Sequence, residues 1–584
     1  MCGIAGIMGR DDERLIRRMV ASIRHRGPDG QGFFQSRNLH LGTCRLSIID
    51  LQFGWQPVYN EARDKCVVFN GEIYNYKELR RHLLDKGHTF TTHCDTEVII
   101  HLYEEYGARC VEYLHGMFAF AIADGDRLFL ARDRLGLKPL YYAFLPEQNL
   151  FLFASEIKAL LQCEEIDFAV NMQALIDSMV LFHPVEDHTF FQNIRAFLPG
   201  HTMTVSMQAN GQLELASETY YRPALAPDAQ MTFAEAQEQL THLLRASVAS
   251  HLQADVPVGL SLSGGLDSSV LAMAMQESYN QRLLTFTVAD SADHPDVTQA
   301  AFMATQLNTA HHVVDVTFAD FFNTIPINFA AAEMPILPGS TFFLLCKKIS
   351  EHVKVALIGE GADELFGGYR EYIDRAYLVA RMKHNLEYLA QAGLAPSTSV
   401  LARFERLTCA GTFADYLKQV FEINMGDQLV HHHLEFIDKQ AMAASLEYRV
   451  PYLDDAFVAF AHTLPLRFKV NRHLGIQKHI LKRVAVDTYG PALLDVALRQ
   501  KIGLPSSSTK HQVRFSQLCQ AVLPEDYLKK HTFGAYFLSK DQLLLFDLFV
   551  EIFQHHRGIL PADFAMQAFL QEQAARPIDI GSYM

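Results

Sequence analysis

Residues 256–276 read VPVGLSLSGGLDSSVLAMAMQ, and the parsing of this stretch decides the fold. The apolar run VPVGLSL predicts a strand, SGGLDS (263–268) a tight loop, and SSVLAMAMQ (268–276) a helix. Gly264 and Gly265 let successive backbone N–H groups converge on an anion. Ser263, Ser268 and Ser269 add hydroxyl donors, and a helix N-terminus favours negative charge. A phosphate or pyrophosphate is the expected ligand. Asp267 would repel a bare phosphate, so its presence predicts Mg²⁺ between carboxylate and phosphates. The loop lacks the Lys-Ser/Thr ending of a Walker sequence.

Further apolar runs follow at 282–288 (RLLTFTV), 310–316 (AHHVVDV) and 353–359 (VKVALIG), each separated by a helical stretch. Strands alternating with helices predict a parallel sheet whose ligands bind at the carboxyl ends of its strands. A second glycine-rich loop, IGEGADELFGGY (358–369), follows the last of these runs. Three carboxylates in one turn repel one another unless cations or an acid–base step use them. Asp363 is therefore expected to join Asp267 on magnesium, with Glu360 as general base. From about residue 370 the pattern is mainly helical. His431-His432-His433 suggests a metal tract, but consecutive helix positions face different ways, so a solvated surface is expected there.

Toward the N-terminus the style changes. CVVFNGEIYNY (66–76), MFAFAIAD (117–124), RLFLARD (127–133) and NLFLFAS (149–155) predict strands, with helices over 76–87 and 95–107 closing on glycine. This gives an α+β domain over 1–205, a linker at 206–230, and an α/β domain over 231–584 whose last ~80 residues carry no assignable motif. A capping-box pattern, Thr232 to Glu235, opens a helix whose apolar side carries Phe233, Ala236, Leu240, Leu243, Leu244 and Val248.

The chain begins MCGIAGI. Once Met1 is trimmed, Cys2 carries both a nucleophile and, in its α-amine, a base. Read alone, Cys2 is equally a small residue on a buried strand. Amide cleavage would also need an oxyanion hole and substrate anchors. Asn70 and Gly71 can supply the first, Arg45 can bind a carboxylate, and Glu72 and Asp95 an ammonium.

The totals agree with a multidomain globular chain: 584 residues, 49% hydrophobic and 20% charged, with a net charge of −15 that argues against general nucleic-acid binding. The nine cysteines include no C-x-x-C pair, so reduced cytosolic thiols are expected and no zinc framework. The chain start lacks a signal-peptide profile, and no apolar run approaches the ~20 residues of a membrane helix. A cytoplasmic protein is the expectation.

Cys2-Gly-Ile-Ala-Gly, RHRGPDG, RLSIID, FNGEIYNY, CDTEVI, GMFAFAI, RDRLGLKPLYY, ASEIKALL, SLSGGLDSS, GEGADELFGGY, AASLEYRVPYLD and LRQK run in order from residue 2 to about 505. Together they resemble glutamine-dependent asparagine synthetases. The resemblance implies an N-terminal αββα glutaminase sandwich joined to a PP-loop adenylating domain. It implies glutamine hydrolysis at Cys2, with Asn70 and Gly71 as oxyanion hole and Arg45, Glu72 and Asp95 holding glutamine. Ammonia would then pass internally to an acyl-adenylate made from MgATP and aspartate. Leu262, Ser263, Gly264, Gly265, Asp267, Ser268 and Gly359 would contact ATP or pyrophosphate, Glu360 would be the base for the ammonia step, and Lys501 would contact phosphate. A homodimer is also implied. The sequence departs from the pattern at Ile358, where serine commonly stands, at 289–297, and at 331–345, where a Thr-Thr-Ile-Arg type of sequence is lacking. A different carboxylate acceptor, in a biosynthetic or surface-polysaccharide pathway, is therefore the alternative expectation.

Overall fold

The computed structural model describes residues 2–289, 291, 293–335, 341–490, 493–499 and 509–575. The N-terminal half stacks two six-stranded sheets. One runs, edge to edge, through Arg195–Ala196, Tyr141–Leu145, Leu150–Ala154, Cys2–Met8, Leu39–Arg45 and Gly30–Gln35. The other runs through Leu213–Thr219, His201–Met207, Arg127–Arg132, Gly116–Asp124, Lys65–Ile73 and Val58–Tyr59. Their strands pair antiparallel.

Side-chain alternation explains the layering. Ile4, Met8 and Leu41 of the first sheet meet Val68, Ala121 and Leu130 of the second in one apolar layer. The intervening residues, among them Ala5, Ile7, Val67 and Phe69, point outward into a separate core. There the first sheet is covered by helix Glu13–Ser22 and the second by helix Glu97–Tyr106, against which helix Tyr76–Asp85 packs. This is the αββα arrangement. The boundary expected at residue 205 falls inside strand His201–Met207, and the expected linker contains strand Leu213–Thr219, which closes the second sheet. A surface hairpin with an apolar inner face and a polar outer one reads as linker because only half of it alternates strongly.

The C-terminal half is built on a parallel sheet in the order Ala310–Asp315, Leu284–Ala289, Val258–Ser261, Val355–Leu357, Glu447–Arg449. The chain winds outward from Val258–Ser261 and then returns to the other side of it, so the strand order reverses between that strand and Val355–Leu357 while all strands stay parallel. Loops leaving two such neighbours diverge and leave a crevice, where α/β sheets bind ligands. The capping box at Thr232 and Glu235 opens helix Phe233–His251, which buries Ala236, Leu240, Leu244 and Val248 as its spacing predicts.

Helices Thr509–Val522, Lys540–Val550 and Met566–Ala575 pack on helix Phe318–Ala332. Phe549 also reaches across to Phe168 and Phe191 of the other half, at ring separations of 6.0 and 5.4 Å. No helix among the described residues is long and apolar enough to cross a membrane.

Candidate active sites

Cys2 opens the central strand of the first sheet and lies opposite Arg45 in its register. Its backbone N–H donates to Asn70 Oδ1 on the second sheet, 3.1 Å away. That contact fixes the amide of Asn70, and its Nδ2 is left buried with no hydrogen-bond partner. A donor so placed is costly unless substrate uses it. The same holds for Arg45, whose Nη2 is anchored on the carbonyls of Ile49 and Asp50 at 3.1 and 2.7 Å while Nη1 is buried and unpartnered. Glycine is required at 71, because a Cβ there would sit 2.0 Å from the Met117 carbonyl oxygen.

Asp95 accepts from the Ile73 N–H at 2.9 Å, and burial pushes its carboxyl up to about 6. Glu72 Oε2 accepts from Arg449 Nη2 at 2.8 Å, whereas Glu72 Oε1 is buried without a partner. Burial, then the nearby Asp95, raises the Glu72 carboxyl well above its ordinary value. Burial likewise raises the Cys2 thiol, so nucleophilic attack needs a base beside it. Gln56, not singled out in the sequence, donates toward Cys2 Sγ at 3.6 Å and is held by the Phe69 N–H at its own Oε1, 2.7 Å away.

The second centre lies in the crevice of the parallel sheet. The 263–268 loop folds on itself: Ser268 Oγ accepts from the Ser263 N–H at 3.1 Å and lies 3.0 Å from Ser263 Oγ. Gly264 adopts φ +69°, and a Cβ on it would come within 2.7 Å of Ala300 N and Asp296 O. Leu262 is buried in the core, with its N–H on the Phe286 carbonyl at 2.8 Å, and so anchors the loop. Gly359 of the second loop packs against Asp267. Asp267 and Asp363, expected to share a cation, both bind one ammonium, Lys478 Nζ, at 2.6 and 2.7 Å. Two carboxylates gathered within the reach of one cationic atom are a donor set that suits a hard divalent cation.

Lys478 was not singled out in the sequence. It stands immediately before helix His479–Tyr489 in an ordinary-looking GIQKH stretch, and only the fold brings it here. Lys501, which was singled out, lies outside the described residues, as do parts of the 289–297 and 331–345 segments. The Ile358 side chain packs into the apolar core and has no polar group to offer a ligand.

Glu360 leads to a correction. The histidines at 431–433 are not a solvated surface: His431 is buried, and His433 Nδ1 sits 3.1 Å from Glu360 Oε1, with its Nε2 3.8 Å from Glu364. They lie in a π-helical segment, Asn424–Leu434, whose wider turn sends the three side chains to different neighbours. Tyr369 donates to Glu364, and burial pushes that carboxyl up to about 7.

Buried charges join the two halves of the chain beside Cys2. Arg26, whose Nε donates to the Cys2 carbonyl at 3.2 Å, also reaches Glu156 at 2.9 Å and Asp438 at 2.8 Å. Lys138 meets Asp438 at 3.3 Å, and Glu333 meets Lys439 at 2.9 Å while accepting from the Ile157 and Lys158 N–H groups at 2.9 and 2.8 Å. Against the cost of its burial, His25, Lys158 and Arg26 hold the Glu156 carboxyl well below its ordinary value.

Residues 1–221 match the glutamine amidotransferase domain family, and residues 239–558 match the asparagine synthase family. Asparagine synthetase [glutamine-hydrolyzing] 1 of Bacillus subtilis (strain 168) is 30% identical, over 86% of this chain and 87% of its own length. A putative asparagine synthetase [glutamine-hydrolyzing] of Mycobacterium tuberculosis (strain ATCC 25618 / H37Rv) is 31% identical, over 89% and 88%. The asparagine synthetase [glutamine-hydrolyzing] 2 of Oryza sativa subsp. japonica is 31% identical, over 86% and 76%.

Proposed function

The chain belongs to the family of glutamine-hydrolysing asparagine synthetases, and from that premise we propose how its residues divide the reaction. It is an ATP-dependent ligase that hydrolyses glutamine and joins the nitrogen to aspartate. Cys2 Sγ attacks the side-chain carbonyl of glutamine while the α-amine exposed by loss of Met1 takes the thiol proton and passes it to the departing nitrogen; the C–N bond breaks to release ammonia, and water then cleaves the thioester to glutamate and frees the thiol. Negative charge developing on the carbonyl oxygen meets Asn70 Nδ2 and the Gly71 N–H. Arg45 Nη1 receives the α-carboxylate; Glu72 Oε1 and Asp95 receive the α-ammonium.

In the second centre the 263–268 loop and Lys478 hold the phosphates of ATP. Asp267 and Asp363 would hold Mg²⁺, which when bound neutralises phosphate charge. The aspartate carboxylate displaces pyrophosphate from ATP, giving an acyl-adenylate. Ammonia then displaces AMP, and Glu360, oriented by His433, takes a proton from the attacking nitrogen. Amide formation from a free carboxylate is unfavourable in water, and free ammonia there is mostly ammonium, so activation and delivery belong in one molecule. A homodimer in the cytoplasm completes this reading, on the family resemblance alone.

The observation that carries the assignment is the set of buried, unpartnered groups around Cys2: Asn70 Nδ2, Arg45 Nη1 and Glu72 Oε1. The test is to supply the purified chain with glutamine, MgATP and aspartate, and to measure asparagine, glutamate and pyrophosphate. Cys2→Ala should abolish synthesis from glutamine but leave synthesis from ammonium salts. Glutaminase activity surviving in that variant overturns the nucleophile, and pyrophosphate release that ignores aspartate overturns the acceptor.

A further inference from the structure

Outside both centres, the N-terminal half gathers four metal-ligating side chains from three chain segments. Glu61 comes from the turn after strand Val58–Tyr59, His88 from the segment that follows helix Tyr76–Asp85, and His101 and Glu104 from one face of helix Glu97–Tyr106. His101 Nδ1 is 3.0 Å from Glu104 Oε2 and 3.5 Å from Glu61 Oε2. His88 Nδ1 is 3.3 Å from Glu61 Oε1 and 3.8 Å from Glu104 Oε2. A tetrahedral ion with ligands at about 2.0–2.1 Å has ligand–ligand edges of about 3.4 Å. The four separations scatter around that edge, with Glu61 turning Oε1 to His88 and Oε2 to His101, so that either oxygen of its carboxylate can reach an ion held between the rings.

Both histidines turn the same nitrogen, Nδ1, to the same pair of carboxylates. A merely local ion pair does not require this convergence. The surrounding contacts are those that orient ligands at metal sites. His88 Nε2, its far nitrogen, meets Glu105 at 3.3 Å; His101 Nε2, also facing away, makes no hydrogen bond and has Glu97 at 4.0 Å. Asn60 Nδ2 donates to Glu104 Oε1 at 2.7 Å, and the Thr89 N–H donates to Glu61 Oε1 at 2.9 Å. The imidazole of His101 is buried, at 1% exposure, while Glu61 at 36% leaves a side open for entry. The Glu360, Glu364 and His433 cluster differs, because His433 spends a different nitrogen on each carboxylate and so bridges them.

We propose that Glu61, His88, His101 and Glu104 form a binding site for one divalent transition-metal ion of the zinc or cobalt kind. Two neutral imidazoles and two carboxylates give the site a charge of about −2, matched by the ion, and imidazole ligands favour such ions over magnesium or calcium. The site ties the 60–64 turn to helix Glu97–Tyr106, whose start follows Asp95 by two residues. Its role is to stiffen the wall of the glutamine pocket.

The test uses the full chain, stripped with chelator and titrated with Co²⁺ in excess Mg²⁺, which saturates oxygen-only sites. One Co²⁺ per chain with the visible absorption of a tetrahedral complex is expected, displaced by Zn²⁺. His88→Gln and, separately, Glu61→Gln should weaken binding at least 10- to 100-fold, while His433→Ala should leave it intact. These two substitutions are partly exposed and preserve folding where His101→Ala could fail, and circular dichroism checks each. Wild-type chain that binds no Co²⁺, or binding that survives His88→Gln or is lost in His433→Ala, overturns the proposal.

Discussion

Asn70 shows how a single residue is committed by its neighbours. The Cys2 N–H holds its oxygen, so its nitrogen has no role in the described structure except toward a ligand. Asn70→Ala should lower kcat for glutamine hydrolysis about 10²–10³-fold with a smaller change in KM, because the contact forms mainly in the transition state. Steady-state glutaminase kinetics checks this. Lys469 is committed in the opposite sense. It is wholly buried, 4.7 Å from the Phe421 ring, its Nζ has no hydrogen-bond partner, and burial pushes its amine down to about 7. The unfolded chain keeps that proton up to about pH 10.4. Between these values the unfolded state binds more protons, so stability rises with pH, and below about 7 the full burial penalty is present. Lys469→Met should therefore stabilise the C-terminal half near pH 7, on the order of 2–4 kcal/mol, with the gain vanishing toward pH 10. Urea unfolding at a series of pH values reads the difference.

At the scale of elements, two short pieces matter more than their length suggests. Strand Glu447–Arg449 was not legible as a strand: three residues with two charges do not alternate like one. Tertiary pairing with Val355–Leu357 makes it the edge of the sheet, and Arg449 then spends its guanidinium on Glu72, Glu447 and the carbonyls of His251 and Gln253. The π-helical segment Asn424–Leu434 was misread for a related reason. Three adjacent histidines on a helix give no periodic signal, and their burial depends on elements far away in sequence. His433→Ala should reduce asparagine synthesis about tenfold or more while sparing glutamine hydrolysis, since His433 contacts Glu360, the base proposed for the ammonia step, and none of the groups around Cys2 named above. Assays of the two half-reactions on the same preparation separate these outcomes. By contrast, helix Phe233–His251 and the 263–268 loop were legible, because capping residues, helical spacing and paired glycines act over a few residues.

Across the whole molecule, the halves meet through buried ion pairs as well as through apolar contacts such as those of Phe549, and apolar contacts alone would have served for stability. Asp438 takes both Arg26, which touches Cys2, and Lys138. Asp438→Asn removes the charge while keeping the shape, and leaves both cations under-compensated. Loss of about 3–5 kcal/mol of stability is expected, together with fewer asparagines made per glutamine hydrolysed. Measuring glutamate and asparagine in one reaction gives that ratio; an unchanged ratio would show that the seam holds the halves together without coupling them. The sequence by itself determined the α+β character of the first half, the strand–loop–helix at 256–276 and, through short motifs shared with a known family, the residues that gather around Cys2, since each is written in alternation, glycine spacing or a short motif. Only the tertiary structure decided that Lys478 bridges Asp267 and Asp363, that His433 faces Glu360, that Arg449 ties Glu72 to the other half, and that Glu61, His88, His101 and Glu104 converge. These contacts join residues between which the chain runs for tens to hundreds of positions, and local physical chemistry carries no record of such distances.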